Sequence, residues 1–156
     1  MPVQRLKKFL DEEGVKYITI SHSTAYTAQG VARQAHLSGS ILAKTVMVKV
    51  DGKMGMAVLP APYKVDVDHL QHVIRAKSVE IATEDEFKNI FPDCELGAMP
   101  PFGNLYGMAI YMDESLTKEE GIVFNAGSHR ELIQLAYKDF KRLVKPKVIN
   151  FSFVTL

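Results

Sequence analysis

Lys44 is the residue that could do chemistry in a run β-branched and apolar enough to read as a strand, Ile41-Leu-Ala-Lys-Thr-Val-Met-Val-Lys-Val50. Side chains alternate along a strand, so Leu42, Lys44, Val46, Val48 and Val50 share one side. A lysine among aliphatic neighbours either lays its stem on the core with the ammonium in water, or forms the charged floor of a ligand pocket. A second candidate is Gly97-Ala-Met-Pro-Pro-Phe-Gly103. Its prolines set φ and its glycines permit positive φ or close backbone approach, which describes a stiff, shaped loop. It is either a plain crossover or a ligand contact. A third is Asn125-Ala-Gly127, which runs into Ser128-His129-Arg130-Glu131. Ser128 and Glu131 have capping-box spacing, which puts His129 in a first helical turn whose free N–H groups suit an oxyanion or phosphate. The three together suit anchoring an anionic ligand and polarising a carbonyl.

Other chemistries lack their residues. There is no Walker phosphate loop, dinucleotide-binding glycine fingerprint, serine nucleophile elbow or His-Glu-x-x-His. Cys94 has no evident histidine partner, and a single cysteine excludes an internal disulfide and fits a reducing cytoplasm. His22, in a polar loop, is a surface or capping residue or a ligand contact. His69 and His72 lie three apart with no third ligand nearby, so they read as solvated, and neither a metal nor a cofactor is expected. A net charge of +1 argues against a general nucleic-acid coat protein but permits local phosphate contacts. No apolar run approaches bilayer length, and the first residues carry no signal-peptide core, so a cytoplasmic, non-membrane protein is expected.

These candidates need elements to hold them. The pattern predicts one domain over residues 1–156, with helices over 3–13, from Thr24 or Thr27 through 33, after Asp66 or Asp68, over 84–90, and from Ser128 through 143. Strands are expected over 17–20, 41–50, 54–59, 79–82, 108–112, 122–124 and 148–154, the last at an edge. Asp51-Gly52 should turn a hairpin, and 113–121 should be polar and exposed. Interspersed helices and strands with a hairpin indicate a compact α+β domain.

Ala43-Lys44-Thr45, Gly97-x-x-x-Pro101 with Phe102-Gly103, and Phe124-Asn125-Ala126-Gly127 resemble, in order and spacing, the YbaK/EbsC-type aminoacyl-tRNA deacylases. That family is related to the editing domain of bacterial prolyl-tRNA synthetase, and the similarity runs from about Tyr17 to Leu143. It implies a mixed, mostly antiparallel sheet or barrel-like core with surrounding helices. It also implies a metal-independent trans-editing enzyme that hydrolyses the ester of a mischarged tRNA, often tRNA(Pro). Lys44, Gly97 and Pro101 would carry catalysis: Lys44 on the terminal adenosine's phosphate or the ester, the Gly-to-Pro loop shaping the amino-acid side. His22, Thr45, Met99, Phe102, Gly103, Asn125, Gly127 and His129 would be substrate contacts, although Met99 and Phe102, like Met47, read more readily as core residues than as pocket lining. The partners implied are the aminoacylated tRNA 3′ end and prolyl-tRNA synthetase. Lys138, Lys141, Arg142, Lys145 and Lys147 are either a solvated face or contacts to the acceptor stem. A non-catalytic binder of tRNA ends or aminoacyl-nucleotides on the same fold is the competing reading.

Overall fold

The computed structural model describes residues 4–21 and 39–153. In chain order they form α1 (Gln4–Glu12), β1 (Tyr17–Ser21), β2 (Ser40–Val50), β3 (Lys53–Pro60), β4 (Lys64–Val65), α2 (Val67–Ile74), β5 (Val79–Ile81), α3 (Glu84–Phe87), β6 (Ala109–Asp113), β7 (Gly121–Ser128), β8 (Glu131–Ala136), α4 (Tyr137–Val144), β9 (Lys147–Ile149) and β10 (Ser152–Phe153). The helix expected from Thr24 or Thr27, and His22, lie outside the described residues. No described helix is long and apolar enough to cross a membrane.

One mixed sheet runs β1-β8-β7-β2-β3-β6-β9, with β5 also on β2, and β10 pairs β4 separately. The β2–β3 hairpin turns at Asp51 and Gly52 with φ of 51° and 81°. Both are positive, as a type I′ turn requires. The Asp51 carboxylate also accepts the amides of Lys77 (2.7 Å) and Ser78 (2.9 Å), tying this turn to the segment before β5.

Both faces of β2 are covered. Ala43 and Met47 face the main core with Leu6 and Leu10 of α1, Phe102, Phe124, and Phe140 and Val144 of α4. Val46, Val48 and Val50 face a second cluster with Leu59, Leu70 of α2 and Phe151. Leu42 packs with Val123 and Leu132 in a third. Lys44 belongs by alternation to the face of Leu42 and Val46.

The chain from Ser128 does not start a helix. Ser128 and Glu131 are cross-strand partners closing the β7–β8 hairpin, and helix begins only at Tyr137. Leu132, Leu135 and Ala136 fit a helical period, but Ile133 between them is fully buried. Pairing with β1 on one edge and β7 on the other decides for strand. The true capping box is at Thr83 and Glu86 and starts the helix expected over 84–90, which ends at Phe87 rather than at residue 90. Asp66 caps α2 by accepting the amide of His69 at 3.1 Å. The final strand is two short ones, broken where Phe151 turns inward.

The segment after β6 is also not simply exposed. Asp113 is 1% exposed and Leu116 is fully buried. Asp113 Oδ1 accepts the amides of Phe151 (2.9 Å) and Ser152 (3.0 Å), and Oδ2 accepts the Ser115 amide at 3.2 Å and the Ser115 hydroxyl. Burial pushes this carboxyl's pKa up, but those hydrogen bonds outweigh it and hold the group below its usual range.

On the main-core side, Lys49 Nζ lies 2.6 Å from Glu86 and 3.5 Å from Glu80. The hydrogen bond from Lys49 and the amide of Thr83 lower Glu86 from 4.5 to about 2. A depressed carboxyl stabilises the fold above its unfolded pKa and loses that contribution as pH falls through the folded value. Thermal denaturation of Glu86→Gln should therefore lie below wild type at neutral pH and converge with it as pH drops from 4.5 towards 2. A gap unchanged over that window would refute the linkage.

Candidate functional site

The three motifs meet where two parallel strands part. β2 and β7 pair from Ser40↔Gly121 to Leu42↔Val123 and no further. Beyond residue 42 this edge of β2 meets no described strand until β5 joins at Val48↔Ile81, next to the bond from the Ala82 amide to the Met47 carbonyl. The open stretch contains Ala43-Lys44-Thr45. Leu42 gives its carbonyl to Ala61 on the β3 side, so Thr45, by alternation, turns its N–H and C=O towards the open edge. Two residues past the last paired position on each strand are Lys44 and Asn125. Both point to the face of Leu42 and Val123. Crevices of this kind, beyond the carboxyl ends of diverging parallel strands, are where open sheets hold ligands.

Lys44 is half-buried. Burial first, and then the charge of Lys64, hold its ammonium below the usual lysine range. Neither lysine is within ion-pair distance of a carboxylate among the described residues. Asn125 is half-buried and has no side-chain hydrogen bond among the described residues.

The wall beside Asn125 is a clasp of two turns. Residues Glu95 to Ala98 make a β-turn closed by the Ala98 amide on the Glu95 carbonyl (3.1 Å), with Gly97 at φ 83°. This turn docks on Gly127 twice: the Glu95 amide donates to the Gly127 carbonyl (2.8 Å) and the Gly127 amide to the Ala98 carbonyl (2.9 Å). Gly127 has φ 95° and sits at the irregularity between Asn125 and Ser128. His129, in the hairpin turn and not at a helix start, places Nε2 2.8 Å from the Leu96 carbonyl, so that nitrogen carries the proton and donates. Its amide reaches Glu95 Oε2 at 3.4 Å. Gly97, Gly127 and His129 are thus one unit. A Cβ at Gly127 would meet the left-handed penalty of about 1–2 kcal/mol. Gly127→Ala should accordingly lower the melting temperature by roughly 2–8 °C; an unchanged midpoint would show that the clasp tolerates distortion.

Other sequence candidates lie in the interior. Met99 is 4% exposed and Phe102 0%, both in the main core. Phe102 sits edge-on to Phe140 (5.4 Å), tilted on Phe124 (5.4 Å) and edge-on to Phe9 (6.2 Å). Their side chains anchor the loop; they do not line the crevice. Pro101 is buried, with the Phe102 amide folded onto the Pro100 carbonyl at 2.8 Å. At Gly103 a Cβ would come within 3.1 Å of Ile110 and 3.2 Å of Met108, so a larger residue would make these neighbours give by a few tenths of an ångström. His69 and His72 are exposed on α2. Burial, then Asp93, pushes the Cys94 thiol up to about 11, which leaves it no nucleophile at neutral pH.

A cleft of about 300 Å³ lined by Lys16, Tyr17, Ser40 and Gln134 lies at the other end of the β2–β7 pair. Its Ser40 hydroxyl is already bonded by Gln134 at 2.8 Å, and no catalytic set converges there. Sequence reasoning missed Glu95, whose place in the clasp depends on tertiary contact.

The model of a family described as "aminoacyl-tRNA editing domain" matches residues 22–143. The chain is 27% identical over 156 residues to the multifunctional Ser/Thr-tRNA deacylase ProXp-y of Escherichia coli strain K12, covering 95% of this chain and 91% of that protein. The O157:H7 strain's protein of the same name matches equally. Among solved structures, hypothetical protein APE2540 superposes with a TM-score of 0.81 at 15% identity over 96% of this chain and 100% of that one. A candidate trans-editing enzyme for prolyl-tRNA synthetase does so at 0.79 and 17%, over 96% of each chain. At these identities the structures establish the fold.

Proposed function

Because the chain belongs to the aminoacyl-tRNA editing domain family, we propose that it hydrolyses the ester joining a wrong amino acid to the 3′-terminal ribose of a tRNA. The observation that carries this reading is the convergence of Lys44, Asn125 and the Gly97–His129 clasp at the opening between β2 and β7. The curated relatives, named for serine and threonine, make seryl- and threonyl-tRNA the first substrates to test, and the resemblance to prolyl-tRNA editing domains makes tRNA(Pro) the first acceptor. Prolyl-tRNA synthetase is the corresponding candidate partner.

In this reading Lys44 holds the acceptor end through a phosphate or the ester. Water attacks the carbonyl carbon, the carbonyl oxygen takes up negative charge, and the ribose hydroxyl leaves with a proton. The Asn125 amide and the Thr45 N–H are the donors placed to meet that oxygen. An aminoacyl ester is already activated, so positioning and fixed donors supply much of the acceleration. Gly97 and His129 bound the amino-acid side, where selection acts by size and by unmet hydrogen bonds.

The test is a panel of mischarged tRNAs, with alanyl-, seryl-, threonyl- and cysteinyl-esters on tRNA(Pro) and on a second tRNA. Loss of the ester faster than in buffer, for at least one pair, is the expected result. Binding without turnover across the panel would favour the non-catalytic reading.

A further inference from the structure

The open edge of β2 is short, and both its ends are closed. β7 leaves after Leu42↔Val123, and the Met47 carbonyl is already taken by the Ala82 amide at 2.9 Å. Thr45 stands midway, half-buried, between Ala43 at 2% exposure and Met47 at 3%. Its N–H and C=O point outward together, because Leu42, and by alternation Lys44 and Val46, turn theirs to β3. Backbone polar groups in such surroundings are rarely left without a partner. Among the described residues Thr45 has none on this edge.

An outward N–H and C=O on one residue are what an antiparallel ladder uses to hold a single opposing residue, giving one bond and receiving one. An aminoacyl ester carries the complementary set, an α-ammonium and a carbonyl on either side of one Cα. Laid antiparallel against Thr45, its carbonyl oxygen accepts the Thr45 N–H and its ammonium donates to the Thr45 carbonyl. Strand polarity then fixes which end lies where. The ester and ribose run towards Lys44 and Ala43, and the nitrogen towards Met47. A residue advances about 3.3 Å along a strand, so one amino acid fits before the Ala82–Met47 bond closes the edge. An acyl group or peptide on the nitrogen would have to take the place of Ala82.

We infer that the main chain of Thr45 pairs with the aminoacyl group as with a missing strand residue, its carbonyl recognising the free α-ammonium. The site therefore takes aminoacyl-tRNA and refuses peptidyl- and N-acylaminoacyl-tRNA. This rests on the deacylase reading for the ester and extends it to the amine.

The test takes the ester that the panel shows to be cleaved fastest, with its α-hydroxy analogue and its N-acetyl derivative on the same tRNA. Each rate is divided by the rate in buffer, which removes the ammonium's own activation of the ester. The acceleration should fall about 10–100-fold for the α-hydroxy ester, the size of a lost hydrogen bond from a charged group, and vanish for the N-acetyl ester. Acceleration of either analogue equal to that of the parent would overturn the proposal. Thr45→Pro locates the contact. It removes an outward N–H, so it should melt within about 3 °C of wild type and lose hydrolysis, whereas Lys44→Pro removes a bond to β3 and should melt about 6 °C lower or more. Retained hydrolysis in Thr45→Pro, or a fall in melting as large as that of Lys44→Pro, rejects the inference. If the wild-type protein cleaves no ester, the deacylase reading fails by itself, and calorimetry decides with adenosine carrying serine through a hydrolysis-resistant 3′-amide against its α-hydroxy counterpart. Tighter binding of the amine upholds the pairing; equal binding, or none, rejects it.

Discussion

Lys44→Ala is expected to lower deacylation of a mischarged tRNA by about 100-fold or more, in the range seen when one fixed electrostatic contact is removed from a reacting site. Folding should be untouched. The residue makes no ion pair among the described residues and faces a like charge, so melting should occur at or slightly above the wild-type temperature. Lys44→Arg keeps the charge but spreads it over a planar fork, and recovery should be partial. A full rate in Lys44→Ala with the fold intact would mean that the stem merely lies along the strand with its head in water. The sequence leaves those two uses of a lysine open, and this one measurement separates them.

The largest effect on stability should come from Asp113→Ala. The substitution leaves the amides of Phe151, Ser152 and Ser115 without their acceptor, in a place where Asp113 is 1% exposed. Hydrogen bonds to a charged group contribute about 1.5–3 kcal/mol each, and the aspartate's own burial penalty offsets part of that, so a net loss of roughly 3 kcal/mol is expected. For a chain of this size that is a fall of about 6–12 °C in melting temperature. Asp113→Asn keeps one carbonyl acceptor and should lose about half as much. Chemical denaturation of both variants checks the order; equal stability of wild type and alanine variant would show that water replaces the carboxylate at no cost.

Local chemistry made some of this legible and tertiary pairing hid the rest. Lys44's strand, the Asp51-Gly52 turn, the Asp66 cap and the Thr83–Glu86 box are each specified within a few neighbouring residues, and each is found. Ser128 and Glu131 carry the same short-range signature as Thr83 and Glu86, yet they close a hairpin, because strands on both edges claim residues 131–136. Asp113 looks like an ordinary loop acid until residues 151 and 152, far along the chain, come to meet it. The candidate site divides the same way. Gly97, Gly127 and His129 could be picked out singly, but that they lock into one clasp follows only from the fold. Of the two readings open to Phe102, pocket or core, the structure shows the core one, at the centre of an aromatic cluster.

The placement of α4 has a practical side. Lys138 and Lys141 are exposed on a helix whose buried residues face the opposite layer from the crevice. A tether or a fluorophore fixed at either position would leave the tRNA end free to approach, so the protein can be anchored to a surface and watched turning over without its entrance being blocked.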